Sequence, residues 1–187
     1  MRLFVALDFP DAVRERLREL IARLKTASSA AKWVRPERMH VTLKFIGETD
    51  PANVDPLRDA LATIHSPKPV EINFRGLGFF PHERQPRVLW CGVEGSPNLA
   101  ELAAGVQSAL DPLGFPPEER KFMPHLTLAR FPDPKGVQEI VRAAEELKSY
   151  EFGSAHETEF HLIESKLKPA GAEYTRLASF SFVKEAA

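Results

Sequence analysis

One cysteine, Cys91, is all the chain offers toward disulfide chemistry, so no internal disulfide can form and a reducing cytoplasm is the expected setting. Cys91 lies in "RVLWCGVE", where a buried strand cysteine is the ordinary reading and a nucleophile a poor one. No apolar run approaches the ~18 residues of a membrane span, so no membrane association is expected. The N-terminal "MRLFVALDFPDAV" meets Asp8 early and lacks a long apolar stretch with a small-residue cleavage site, so no signal peptide is expected. Excess charge is missing too: a formal net charge of −1 leaves no global basic footprint for holding long duplexes.

Several motifs are absent as well. There is no HExxH and no pair of CxxC motifs, and His156 and His161 stand five apart in a strand-like run, hence on opposite faces. "GLGFFP" lacks the third glycine of a dinucleotide loop, and neither GxxxxGK[ST] nor Gly-x-Ser-x-Gly occurs. Metal, cofactor and serine-hydrolase chemistry are therefore not expected.

What is present reads as soluble and globular: 187 residues, 43% apolar and 27% charged, which suits one domain over 1–187 built of two lobes on one core. Four stretches carry apolar residues at helical spacing, among them Val13, Leu17, Leu20, Ile21 and Leu24 in the first. The other three are "PANVDPLRDALATIH", "PNLAELAAGVQSAL" and "KGVQEIVRAAEELK". Asp50-Pro51, Ser96-Pro97 and Asp133-Pro134 each pair an N-cap candidate with a proline at the first helical position. Strand-like runs cover 2–8, 38–46, 69–77, 87–93, 125–131, about 157–166 and about 174–183. The order strand, helix, strand, helix, strand occurs twice, with corresponding features about 85 residues apart. That predicts an α+β, bilobal fold: two duplicated lobes of mainly antiparallel sheet, helices outside and a groove between.

Within that repeat two strands stand out. "MHVTLKF" puts His40, Thr42 and Lys44 on one side of a regular strand, with Met39, Val41, Leu43 and Phe45 on the other. "HLTLARF" does the same with His125 and Thr127. Chance supplies only about 0.2 His-x-Thr matches in this composition. A third match, in "HETEF" at 156–160, carries Glu157 and Glu159 where the other two are apolar and is set aside. Two imidazoles can act as general base and general acid near neutral pH. Two hydroxyls and nearby cations can hold a phosphoryl oxygen as charge develops on it. Arg35, Arg38 and Lys44 surround the first motif, Arg120, Lys121 and Arg130 the second, with Arg84 and Arg87 between, although each alone reads as a solvated surface charge. Displacement at phosphorus, opening a cyclic phosphodiester, fits this set. Phe79, Phe80, Trp90 and Tyr174 could stack on a base, with core packing the commoner fate.

The stretches "RLFVALDFP", "HVTLKFIGE", "GLGFFP", "RVLWCGV" and "PHLTLAR" together resemble the 2H phosphoesterase superfamily, in its bacterial and archaeal RNA 2′,3′-cyclic phosphodiesterase branch, historically called 2′-5′ RNA ligase. The resemblance implies metal-free hydrolysis of RNA 2′,3′-cyclic phosphate ends to 2′-phosphomonoesters; tRNA fragments are candidate substrates, and a monomer is the default expectation. It implies His40 as proton donor to the departing 3′ oxygen, His125 as the base activating water, and Thr42, Thr127 and Arg130 as phosphate ligands. Strand alternation alone would turn Arg130 away from His125 and Phe45 into the core, and a bulge or a strand end would be needed to bring Arg130 round. Two other activities fit the same residues: 2′-5′ ligation of half-tRNA-like ends, and non-catalytic binding of RNA ends.

Overall fold

A computed structural model of the chain describes residues 1–29, 31–133, 135–169 and 171–183. Its strands are β1 (Arg2–Leu7), β2 (Lys32–Trp33), β3 (Val41–Glu48), β4 (Val70–Phe80), β5 (Val88–Gly95), β6 (His125–Arg130), β7 (Glu151–Glu157), β8 (Glu159–Lys168) and β9 (Gly171–Ser181). The helices are α1 (Asp11–Ala27), α2 (Val54–Leu61), α3 (Pro97–Leu110) and α4 (Gln138–Glu145). The strands form two antiparallel sheets, one ordered β3-β1-β8-β9 and the other β2-β6-β5-β4-β7.

The predicted elements are present, and the halves are interwoven. β4, from the first half, pairs with β5 of the second, while β8, from the second half, pairs with β1 of the first. α1 packs on β7 and α4 on β4, both in the five-stranded sheet, while α3 packs on β3 of the four-stranded sheet and on β4 and β5 of the other, with α2 against α3. Each sheet keeps one motif strand, but neither is built from one half of the sequence. The run expected at 157–166 is the end of β7 and most of β8, divided at Thr158, and the two-residue β2 is too short to leave a pattern of alternation.

Buried side chains from both sheets and all four helices merge into one apolar core. In α1 the buried positions are Val13, Leu17, Leu20, Ile21 and Leu24, a single stripe at 3.6-residue spacing, with Arg14 buried among them. Asp50 caps the turn before α2 by accepting the amide of Ala52 at 2.8 Å. Ser96 precedes Pro97 at the start of α3 but does not cap it. Its hydroxyl accepts the Glu71 amide at 3.0 Å and donates to Asn98 Oδ1 at 2.6 Å, tying the helix start to β4. Pro134, of the third proposed start, lies outside the described residues.

Candidate functional site

The two motifs carry the same irregularity at the same place. Along β3, Thr42 pairs with Ala6 and Lys44 with Val5, so Leu43 is an extra residue. Along β6, Thr127 pairs with Trp90 and Ala129 with Leu89, so Leu128 is the extra residue there. A bulge of this kind places two successive side chains opposite one partner and reverses the alternation beyond it. Leu43 and Lys44 accordingly both turn to the core side with Val5, as Leu128 and Ala129 do with Leu89. Phe45 and Arg130, the next residues in each copy, swing back to the side that carries the histidine and threonine.

Three expectations from simple alternation are thereby corrected. Lys44 does not accompany His40 and Thr42: it is 2% exposed, and its ammonium donates to Gln107 Oε1 at 2.6 Å and to the Pro116 carbonyl at 2.7 Å. Burial holds its pKa below the usual lysine value, opposed by Glu118 and Asp111. Phe45 is not core either, being 65% exposed on the site face. Arg130 is brought onto the histidine side and is exposed, and its guanidinium makes no hydrogen bond or ion pair among the described residues.

Both imidazoles are fixed by the same device. His40 Nδ1 lies 3.3 Å from the Arg38 carbonyl, and His125 Nδ1 lies 2.8 Å from the Met123 carbonyl, in each case two residues upstream. A carbonyl only accepts, so Nδ1 carries the proton and Nε2 of each neutral ring is left as the basic nitrogen. The threonine hydroxyls of Thr42 and Thr127 have no partner among the described residues and are half-buried. The histidine environments differ. His40 is packed edge-on against Phe4 at 5.8 Å and Tyr174 at 5.5 Å, and burial pushes its pKa down to about 4, with Asp8 acting in the opposite sense. His125 meets Phe80 edge-on at 5.1 Å.

A short strap couples the motifs. Lys32 and Trp33 pair with Arg130 and Ala129, and the Val34 amide donates to the Leu128 carbonyl at 2.8 Å. Six residues later the same chain reaches His40. Arg14 fixes the middle of this strap, donating to the carbonyls of Pro36 at 2.6 Å and Met39 at 3.2 Å. Asp8 in turn pairs with Arg14 and, at 3.1 Å, with Arg176. Arg14 and Asp8 escape a motif search, yet a charged residue on the apolar stripe of α1 is the sign that one side chain there has a buried polar task. Of the aromatic candidates, Phe79 is core at 8% exposure, whereas Phe80, Trp90 and Tyr174 lie half-buried on the site side.

His156 and His161 do not share a strand: His156 pairs with Glu71 at 2.5 Å on β7, and His161 is buried on β8 with Nδ1 2.9 Å from Ser179 Oγ. Among the described residues no three His, Cys, Asp or Glu side chains come together as a metal site would require, and no helix is long and apolar enough to cross a membrane.

Comparison with known proteins bears on the whole chain. A family model described as LigT like Phosphoesterase matches residues 7–90 and 93–174. A protein of Methanothermobacter thermautotrophicus named RNA 2′,3′-cyclic phosphodiesterase is 34% identical over 96% of this chain and 98% of its own length. One of the same name from Thermus thermophilus is 37% identical over 97% of this chain and 90% of its own. Among solved structures, a Thermus thermophilus protein superposes with a TM-score of 0.81 at 31% identity over the full length of both chains. Escherichia coli LigT, solved with 3′-AMP, gives 0.77 at 26% identity over 98% of each.

Proposed function

Because the chain belongs to the LigT-like phosphoesterase family, we propose that it hydrolyses RNA 2′,3′-cyclic phosphate ends to 2′-phosphomonoesters, with His40 and His125 as the acid and base. His125 Nε2 accepts a proton from water as the water oxygen attacks phosphorus. The bond from phosphorus to the 3′ oxygen breaks, and His40 Nε2–H delivers a proton to that oxygen, leaving a 3′-hydroxyl and a 2′-phosphate. Thr42 and Thr127 donate to the non-bridging oxygens, and Arg130 neutralises the charge gathering there.

The observation that carries this reading is the double repeat of one local geometry. Each copy has a histidine with Nδ1 held by the carbonyl two residues upstream, a free threonine hydroxyl on the same face, and a bulge that restores the sixth side chain, counted from the histidine, to that face. Phe45 fills this sixth position in one copy and Arg130 in the other, which makes a near-symmetric site electrostatically lopsided. The burial that lowers His40 makes its imidazolium a strong acid, and an anionic phosphodiester supplies the countercharge that protonates it. The relatives bearing the cyclic phosphodiesterase name favour hydrolysis, and water at about 55 M outcompetes an RNA hydroxyl unless that strand is held in line. The buried single thiol suits a reducing cytoplasm, where we place the enzyme as a monomer acting on ends such as those of cleaved tRNA.

The test is turnover of a short RNA ending in 2′,3′-cyclic phosphate, in excess EDTA, with the product position identified. Wild type yields the 2′-phosphate, while His40→Ala and His125→Ala each lose at least about 100-fold. Binding without turnover would replace this reading with an RNA-end-binding module.

A further inference from the structure

The site face of the five-stranded sheet does not stop at the motif strand. Directly across from Thr127 stands Trp90 on β5, and across from Trp90 stands Gly78 on β4. A Cβ at residue 78 would come within 2.1 Å of the indole ring carbons, so only glycine there lets the ring approach the sheet this closely. Phe80 touches both neighbours: its ring centroid is 5.4 Å from that of Trp90 and 5.1 Å from that of His125. Trp90 is thus one aromatic ring away from the second histidine.

On the other side of Trp90 the β4–β5 connection walls a cavity of about 660 Å³, with His82 and Arg84 from residues 81–87 on its margin. Glu83, between them, is drawn off by Lys148 at 3.4 Å, and Arg84 makes no ion pair among the described residues. The volume is in the range of small-molecule sites. An indole laid flat beside a free guanidinium is the combination by which single-stranded nucleic acid is held, through base stacking and backbone charge with little regard to sequence.

We infer that this cavity receives the nucleotide immediately 5′ to the cyclic end, its base on Trp90 and a backbone phosphate at Arg84. The inference rests on the phosphodiesterase reading and deepens it: the enzyme prefers oligonucleotide ends to cyclic mononucleotides, without demanding a particular base at the penultimate position.

The experiment compares kcat/KM for a 2′,3′-cyclic mononucleotide and for a dinucleotide ending in the same cyclic nucleotide, using wild type, Arg84→Ala and Trp90→Leu. Wild type should favour the dinucleotide by on the order of tenfold, the size of one stacked base. Arg84→Ala, at an exposed position, should remove most of that preference while leaving the mononucleotide rate within about twofold, and its result decides even if Trp90→Leu disturbs Phe80. Equal rates in wild type, or a preference that survives Arg84→Ala, would overturn the subsite. Failure of wild type to hydrolyse either compound would instead bring down the phosphodiesterase reading, and the subsite with it.

Discussion

Replacing His40 by glutamine isolates a stability effect whose size follows from its surroundings. Packed between Phe4 and Tyr174, the ring is driven by burial from its ordinary value near 6.5 to about 4. Between those two pH values the unfolded chain binds a proton at this residue and the folded protein does not. Stability therefore rises with pH across the interval and is lost as pH falls through it. At roughly 1.4 kcal/mol for each pH unit, lowering the pH from 7.5 to 4.5 should cost the folded protein about 2–3 kcal/mol through His40 alone. His161, also held low by burial, acts in the same direction but is present in both proteins. Urea unfolding of wild type and His40→Gln at the two pH values gives the contrast directly, since the other titrations cancel. Wild type should lose about 2–3 kcal/mol more than the variant. Identical losses would refute the claim that this imidazole is kept neutral by burial.

Lys44→Met should lower stability by about 1–3 kcal/mol, because Gln107 Oε1 and the Pro116 carbonyl lose their donor, while KM for the cyclic substrate stays within about twofold; a large KM rise with unchanged stability would return Lys44 to the site. Arg130→Gln should do the reverse, cutting kcat/KM by about 10- to 100-fold at unchanged Tm, as measured by steady-state kinetics and thermal melting. Cys91 is fully buried, and burial pushes its thiol up to about 12, so Ellman's reagent should react with it only after denaturant unfolds the chain.

Much of the architecture is legible in the sequence, because helical stripes and alternating strands are local patterns. Val13 to Leu24 declare the buried side of α1 whatever else the chain does, and the two His-x-Thr strands declare themselves by being duplicated. The orientation of the residues after each threonine is not legible. It depends on Val5 facing Lys44 and on Leu89 facing Ala129, and those partners are set by registers the strand itself does not encode. Lys44 reads as a surface cation because its acceptors, Gln107 and Pro116, are distant in sequence. The interweaving is hidden for a related reason: β4 and β8 have the same alternation whichever sheet accepts them, so the repeat reveals two halves without revealing the trade between them.

That trade has a consequence during synthesis. β1 is synthesised before β2 to β8, yet one of its edges pairs with residues 161–165, more than 150 positions later in the sequence. A polypeptide that stops before residue 159 contains both histidines, both threonines and Arg130 but has no β8 to complete the sheet supporting His40. Such a fragment leaves Phe4 and Ala6 without the Ile163 and Tyr174 that pack beside the histidine. Assembly of the proposed reaction centre thus waits for β8 and β9 to emerge. Products that stop before residue 159 should therefore show no cleavage of RNA ends, rather than cleavage at a reduced rate.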